Sequence, residues 1–306
     1  MLDVLMPVSR AEWVDESVKS ILAAAIHANV QIRLIVIVTK SNLDLGSDIF
    51  KSVPFLQIVR VNSYGANYET ALRAGSIQLK SEFVALMNDD DICAIDRFKV
   101  QISALRESKA DISIGRMKKF GSHSFRPNYN SDFYKRYHHL YLLIGPFGAN
   151  ATWMMQRDWW LTRINSSEIK GEWDWGFALK YFPEAKYHYT KSTIYFYRQH
   201  VDQISRNKDY RTSLIRSMKE LILENWGATL GQQVQADVVN LVALPNLLTS
   251  VDARKLGNVF CNHIRLQQRL GFYSFWLTYQ FAIRVLLALI PINIARILGI
   301  EKTRMK

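Results

Sequence analysis

The chain has 306 residues, 49% hydrophobic and 22% charged, which supplies cores for one large or two modest domains and excludes wholesale disorder. Two cysteines, Cys93 and Cys261, exclude a disulfide framework and a four-thiolate zinc site and fit a reducing compartment. Net charge is +12, but nine Lys or Arg and one acid lie between Ala253 and Lys306 while the first 252 residues carry 30 basic and 26 acidic side chains, which argues against a general nucleic-acid surface.

Met1 leads at once into the apolar run Leu2 to Val8, with no basic leader before it, so a cytoplasmic protein is expected. Val14, Val18, Ile21, Leu22 and Ala25 recur at helical spacing within Glu12 to Ala28, with Asp15 and Glu16 in the first turns. Ile32 to Val38 is an uninterrupted β-branched run, as a strand covered on both faces requires. Ile58 to Val61 reads as a strand and Tyr68 to Lys80 as a helix. Phe83 to Met87 is a third buried strand, stopped by Asn88, Asp89, Asp90 and Asp91; Arg97 to Ser108 is helical. This β-α-β-α-β rhythm predicts an α/β fold with a parallel or mostly parallel sheet between helices. Met117 to Asn150 is rich in Tyr, His, Phe, Gly and Asn without clear period, and Tyr187 to Arg198 reads as a late strand pair. After Arg206 the pattern is helical, broken at Gly227, Pro245, Gly257 and Pro291.

Chemistry is expected first at the acidic cluster, because ligands of open α/β sheets bind outside the carboxyl ends of the strands. Consecutive carboxylates repel unless a cation or hydrogen bonds compensate, and Mg²⁺ or Mn²⁺ accepts one or two carboxylates together with phosphate oxygens and water. A solvated turn with a helix cap at Asp91 or Asp96 is the plainer account of the same residues.

A set of segments then stands in order: Val4-Leu5-Met6-Pro7-Val8, followed by a helix containing Glu16-Ser17-Val18-Lys19-Ser20-Ile21-Leu22; Asn62-Ser63-Tyr64-Gly65; Ala71-Leu72-Arg73-Ala74-Gly75; Phe83 to Ile92; Gly171-Glu172-Trp173-Asp174-Trp175; and Tyr195 to Ser205, with Arg198 and His200 inside it. Together they resemble the family-two glycosyltransferases of the GT-A fold over about residues 2–206. The resemblance implies a Rossmann-like nucleotide-binding half (about 1–115), an acceptor half (about 116–206), a nucleotide-sugar donor and a divalent cation. Its DXD motif falls on Asn88-Asp89-Asp90, with Asn where Asp is usual. Asp90 is the implied metal ligand, with Asp91 as runner-up or supporting partner and His200 as a further ligand. Pro7, Val8, Arg10, Asn67, Asn88, Asp89 and Arg198 are implied to meet the donor nucleotide, Arg198 by pairing with its diphosphate. Where the family commonly holds the base or ribose with an acid, this chain reads Thr39-Lys40-Ser41, which puts uracil recognition by a carboxylate in question.

For an inverting transfer a carboxylate takes the proton of the acceptor hydroxyl, and Glu172 and Asp174 are the candidates. Two apart on a helix, they would point about 200° apart, so only one can face a cleft; the family's base, next to the aromatic residue, lands on Glu172. Trp173 and Trp175 suit sugar stacking and a protein core equally. Residues 207–306 are expected to form a helical, membrane-associating extension. Within it, residues 272–306 combine aromatics, arginines and an apolar run that Arg284 and Pro291 interrupt, which suits a helix lying at an anionic bilayer surface better than one spanning it. The expectation is a glycosyltransferase at the inner face of the plasma membrane, acting on a glycan or lipid-linked acceptor in surface polysaccharide assembly. The alternative is an inactive nucleotide- or glycan-binding protein on the same fold.

Overall fold

The computed structural model describes residues 1–46, 53–121, 149–166, 169 and 173–200. Residues 122–148 of the stretch without clear period, Glu172 and the helical extension expected from residue 207 lie outside the described residues. Strand β1 (Leu2–Val8) leads to helix α1 (Val14–Ala28), then β2 (Ile32–Val38), β3 (Leu56–Asn62) and α2 (Tyr68–Ser76). Strand β4 (Phe83–Leu86), the two-residue β5 (Ile92–Cys93), α3 (Arg97–Ser108) and β6 (Ile112–Phe120) follow. Strand β7 (Met154–Gln156), helices α4 (Arg157–Ser166) and α5 (Trp173–Tyr181), and β8 (Tyr187–Arg198) complete the described order.

The eight strands form one sheet in the order β3-β2-β1-β4-β7-β6-β8-β5. Strands β1, β2, β3 and β4 run parallel; β7 is antiparallel to β4 and β6, and β5 is antiparallel to β8. Every residue of β1 and β2 is buried, as their unbroken apolar runs require. Alternate side chains divide between the two faces. Leu5, Ile35, Ile37 and Leu86 pack with α2, α4 and α5, whereas Val4, Met6, Leu34 and Val36 pack with α1 and α3. Helix α2 lies close on the first face: a Cβ on Gly75 would meet Ile37 Cδ1 at 2.4 Å.

Local signals set the helix ends. Asn29, in the left-handed region at φ 50°, closes α1. Asn67 caps α2, its Oδ1 accepting from Thr70 N at 2.8 Å. That helix stops at Ser76, short of the expected Lys80, and the amides of Lys80 and Ser81 donate instead to the buried Asp3 Oδ2 at 2.6 and 2.7 Å. Asp3 also pairs with Arg33 at 2.9 Å, pinning this corner at the end of the sheet opposite the acidic cluster.

Two readings are corrected. Tyr187–Arg198 is one strand, not a pair: it runs parallel to β6, and the polar Lys191 and Ser192 that interrupt its pattern sit in a bulge where the register jumps from Ile114↔Tyr189 to Arg116↔Thr193. Second, β6 runs on to Phe120, so strand structure reaches into the stretch from Met117 that shows no clear period.

Candidate active site

Three strand ends meet at the acidic turn. The Asp89 carboxylate cups the turn after β1: its Oδ2 accepts from Ser9 N at 2.8 Å and Arg10 N at 3.1 Å. Ser17, from α1, donates its hydroxyl to the carbonyls of Asp89 (3.1 Å) and Asp91 (2.6 Å), which clamps the turn onto the helix. Asp91 is fully buried. Its Oδ2 accepts from Tyr195 Oη at 2.7 Å and Asn88 Nδ2 at 3.0 Å, and its Oδ1 from Arg198 N at 2.7 Å. Both oxygens thus accept hydrogen bonds that hold β8 and Asn88 against the turn.

Asp90 faces a different set. Its Oδ2 lies 2.8 Å from Arg10 Nη2 and 3.0 Å from His200 Nε2, and Arg10 Nη1 is 3.2 Å from that same ring nitrogen. The imidazole packs on Trp13 with ring centroids 4.6 Å apart. Arg198 is fastened beside it: Nε donates to Asp90 O at 2.8 Å, Nη2 donates to Glu16 Oε2, and the guanidinium lies over Phe120 at 4.6 Å. Burial pushes the Asp89 carboxyl upward against its backbone hydrogen bonds. Burial first, and the Asp90 charge second, push Asp91 up to about 7, against the bonds from Tyr195, Arg198 and Asn88.

The neutral residue at the head of the motif now has a physical reason. Asn88 donates its amide to Asp91 and accepts the Tyr68 hydroxyl at 3.4 Å. A carboxylate there could not donate, and would add another negative charge against Asp91.

Asp174 stands in the first turn of α5. Burial pushes its carboxyl up to about 6, opposed by the bond that Trp175 N donates to Oδ1 at 2.7 Å. Tyr68 stands between this acid and the strand-end cluster: its ring packs on Trp173, the neighbour of Asp174, with centroids 5.5 Å apart, and its hydroxyl donates to Asn88 Oδ1 at 3.4 Å. Burial first, then the charges of Asp174, Asp89, Asp91 and Asp90, push its phenol up. Trp173 is buried against Trp153, Trp160 and Phe177, and Trp175 is buried in the same core cluster, which assigns both indoles to the core.

The remaining expected donor contacts are placed unevenly. Arg10, Asp89 and Arg198 gather at the acidic turn. Pro7 and Val8 are buried within β1, and the Val8 carbonyl accepts both Thr39 N at 3.0 Å and Thr39 Oγ1 at 2.9 Å. The Asn67 side-chain oxygen is occupied as a helix cap. Sequence reasoning assigned no role to Trp13, Ser17, Tyr68 or Tyr195. Ser17 and Tyr195 lie inside segments that carry the family resemblance, while Trp13 and Tyr68 carry no local signal beyond their place at a helix start.

Among the described residues no group of three or more His, Cys, Asp and Glu side chains could hold a metal ion by itself. The pair Asp90–His200 nevertheless fits two neighbouring positions around a small divalent ion. Ligands about 2.1 Å from an octahedral centre and at right angles lie about 3 Å apart, and Oδ2 and Nε2 are 3.0 Å apart. Such an ion takes its other ligands from phosphate and water.

The family model described as Glycosyl transferase family 2 matches residues 3–162. No curated protein matches the chain in sequence. Among solved structures the chain is similar to S. aureus TarS residues 1–349 in complex with UDP-GlcNAc, at 14% identity and TM-score 0.57, covering 87% of this chain and 80% of that one. It is similar to the same fragment in complex with UDP at 14% identity and TM-score 0.57, covering 99% and 88%. Against S. aureus TarS the values are 13% and 0.55, covering 87% and 48%. At these identities the likeness is one of fold.

Proposed function

The chain belongs to glycosyl transferase family 2, and from that premise we propose an inverting transfer of one sugar from a nucleoside-diphosphate donor to a glycan or lipid-linked glycan acceptor in surface polysaccharide assembly. The donor diphosphate lies at the carboxyl ends of β1, β4 and β8. One observation carries this reading: Asp90 Oδ2, His200 Nε2 and the Arg10 guanidinium converge there within 3.2 Å of one another. A cationic side chain, a carboxylate and an imidazole at one strand-end turn suit a phosphate group and the ion that accompanies it. UDP is the natural first probe, since TarS is solved with UDP and with UDP-GlcNAc.

Asp90 and His200 would hold a Mg²⁺ or Mn²⁺ ion, which offsets the charge that builds on the leaving diphosphate. The chain's own residues do the rest. Asp89 fixes the turn that carries Arg10, and Asp91 with Tyr195 fixes the end of β8 that carries His200. The base is drawn from the pair Glu172 and Asp174; it removes the proton of the acceptor hydroxyl as that oxygen attacks the anomeric carbon. Transfer or hydrolysis of UDP-sugars with Mn²⁺ tests the reading. Asp90→Ala is expected to lower kcat/KM by about 100-fold or more, the order of loss for one electrostatic stabiliser. Full activity in that variant would remove Asp90 from the site.

A further inference from the structure

The two arginines beside the acidic turn are held differently. Arg198 is bound along its whole head, to the Asp90 carbonyl, to Glu16 and against Phe120 and Trp13. The Arg10 head rests on the Asp90 carboxylate, on His200 Nε2 and over Trp13 at 5.5 Å, with its side chain 28% exposed. The Arg10 side chain is thus partly open to solvent and tied down at fewer points than Arg198.

Its present seat is also internally conflicted. His200 Nε2 lies 3.0 Å from a carboxylate oxygen and 3.2 Å from a guanidinium nitrogen. A protonated Nε2 satisfies the carboxylate but opposes the Arg10 N–H; a bare Nε2 accepts from Arg10 but opposes the carboxylate. An ion bound through the lone pairs of Oδ2 and Nε2 satisfies both atoms. The ion takes the only lone pair of Nε2, so Arg10 loses that acceptor, and a second cation on Oδ2 repels the guanidinium now 2.8 Å away and weakens its hold there.

We propose that Arg10 is a resident counter-charge of the Asp90–His200 pair, which a divalent ion displaces and which the donor diphosphate receives. Without donor the guanidinium keeps the buried carboxylate neutralised and the ion-binding pair shut. A diphosphate offers the guanidinium two or more anionic oxygens in a geometry it matches bidentately. Moving Arg10 from Asp90 to the diphosphate frees Oδ2 and Nε2 for the ion. Ion and diphosphate thus assist each other's binding, and the coupling is reciprocal. The inference rests on the proposed divalent-ion site and adds to it a switch in one side chain.

Free Mn²⁺ measured by electron paramagnetic resonance, in titrations of the full chain with and without UDP, tests this. In the absence of UDP, Arg10→Ala and the neutral, similarly sized Arg10→Gln are expected to bind Mn²⁺ about tenfold more tightly than the unaltered protein, the order of a charge-assisted hydrogen bond removed. Arg10→Lys, which keeps the charge, should stay near the unaltered value. UDP should tighten Mn²⁺ binding in the unaltered protein, and that gain should shrink in Arg10→Ala and Arg10→Gln. Melting curves establish that the variants are folded, and the three substitutions do not depend on any single one folding. If UDP promotes Mn²⁺ binding but neither neutral variant tightens it, or if Arg10→Lys tightens it equally, the exchange is overturned and the ion site stands. If no form binds Mn²⁺ even with UDP, the ion site itself falls, and the exchange with it.

Discussion

At Asp89, Asp90 and Asp91 three neighbouring carboxylates meet three environments. One is capped by backbone amides, one faces an arginine and an imidazole, and one is sealed under Tyr195 and the Arg198 amide. Residue type alone does not distinguish them; hydrogen-bond partners and burial do. The same reasoning bears on which of Glu172 and Asp174 acts as the base. A base must be ionised to act, and burial places the Asp174 carboxyl at about 6. If Asp174 is the base, kcat/KM should climb about tenfold per pH unit below 6 and level off above it. Asp174→Asn should then abolish that limb together with most of the rate. A pH profile of Asp174→Asn that keeps the rising limb assigns the proton transfer to Glu172.

At the scale of elements, the site depends on how β8 sits against β6. The bulge opposite Gly115 lets the strand skip its polar residues and resume pairing at Thr193, which sets the height at which Tyr195, Arg198 and His200 arrive. The contact there is tight: a Cβ on Gly115 would lie 2.5 Å from Ile194 Cγ1 and 2.6 Å from Thr190 Cγ2. Gly115→Ala should therefore cost about 1–3 kcal/mol, typical of overpacking, measured by urea unfolding. Because the shift falls on the strand that presents His200, transfer activity should drop more steeply than stability at temperatures where the variant remains folded. Equal stability in Gly115→Ala would refute the packing argument.

At the scale of the whole molecule, the described residues build a nearly charge-balanced catalytic sheet, while the excess of cations lies toward the C-terminus. No helix among the described residues is long and apolar enough to cross a membrane. We propose that residues 272–306 bring the enzyme to an anionic bilayer surface, where aromatics insert and Lys and Arg meet headgroups. Deleting residues 272–306 should abolish co-sedimentation with vesicles containing anionic lipid, and raising salt should weaken binding of the intact chain. Unchanged pelleting after the deletion would remove this anchor.

The amino-acid order by itself determined the alternation of buried strands and amphipathic helices, because period and apolar run length are local properties. Strands β1, β2 and β4 and helices α1 and α3 lie close to where their patterns put them, and the acidic turn was legible as the break after an apolar run. Strands of two or three residues such as β5 and β7 carry no period, so they stayed hidden. The roles of Trp173 and Trp175 were open for a related reason, since an indole serves a sugar or a core equally and only burial decides. What tertiary structure alone decided is the site: Ser9 meets Asp89 across 80 positions and Asp90 meets His200 across 110. Such pairings follow from sheet order and strand register, which are settled by packing of the whole chain and leave no periodic trace in any one segment.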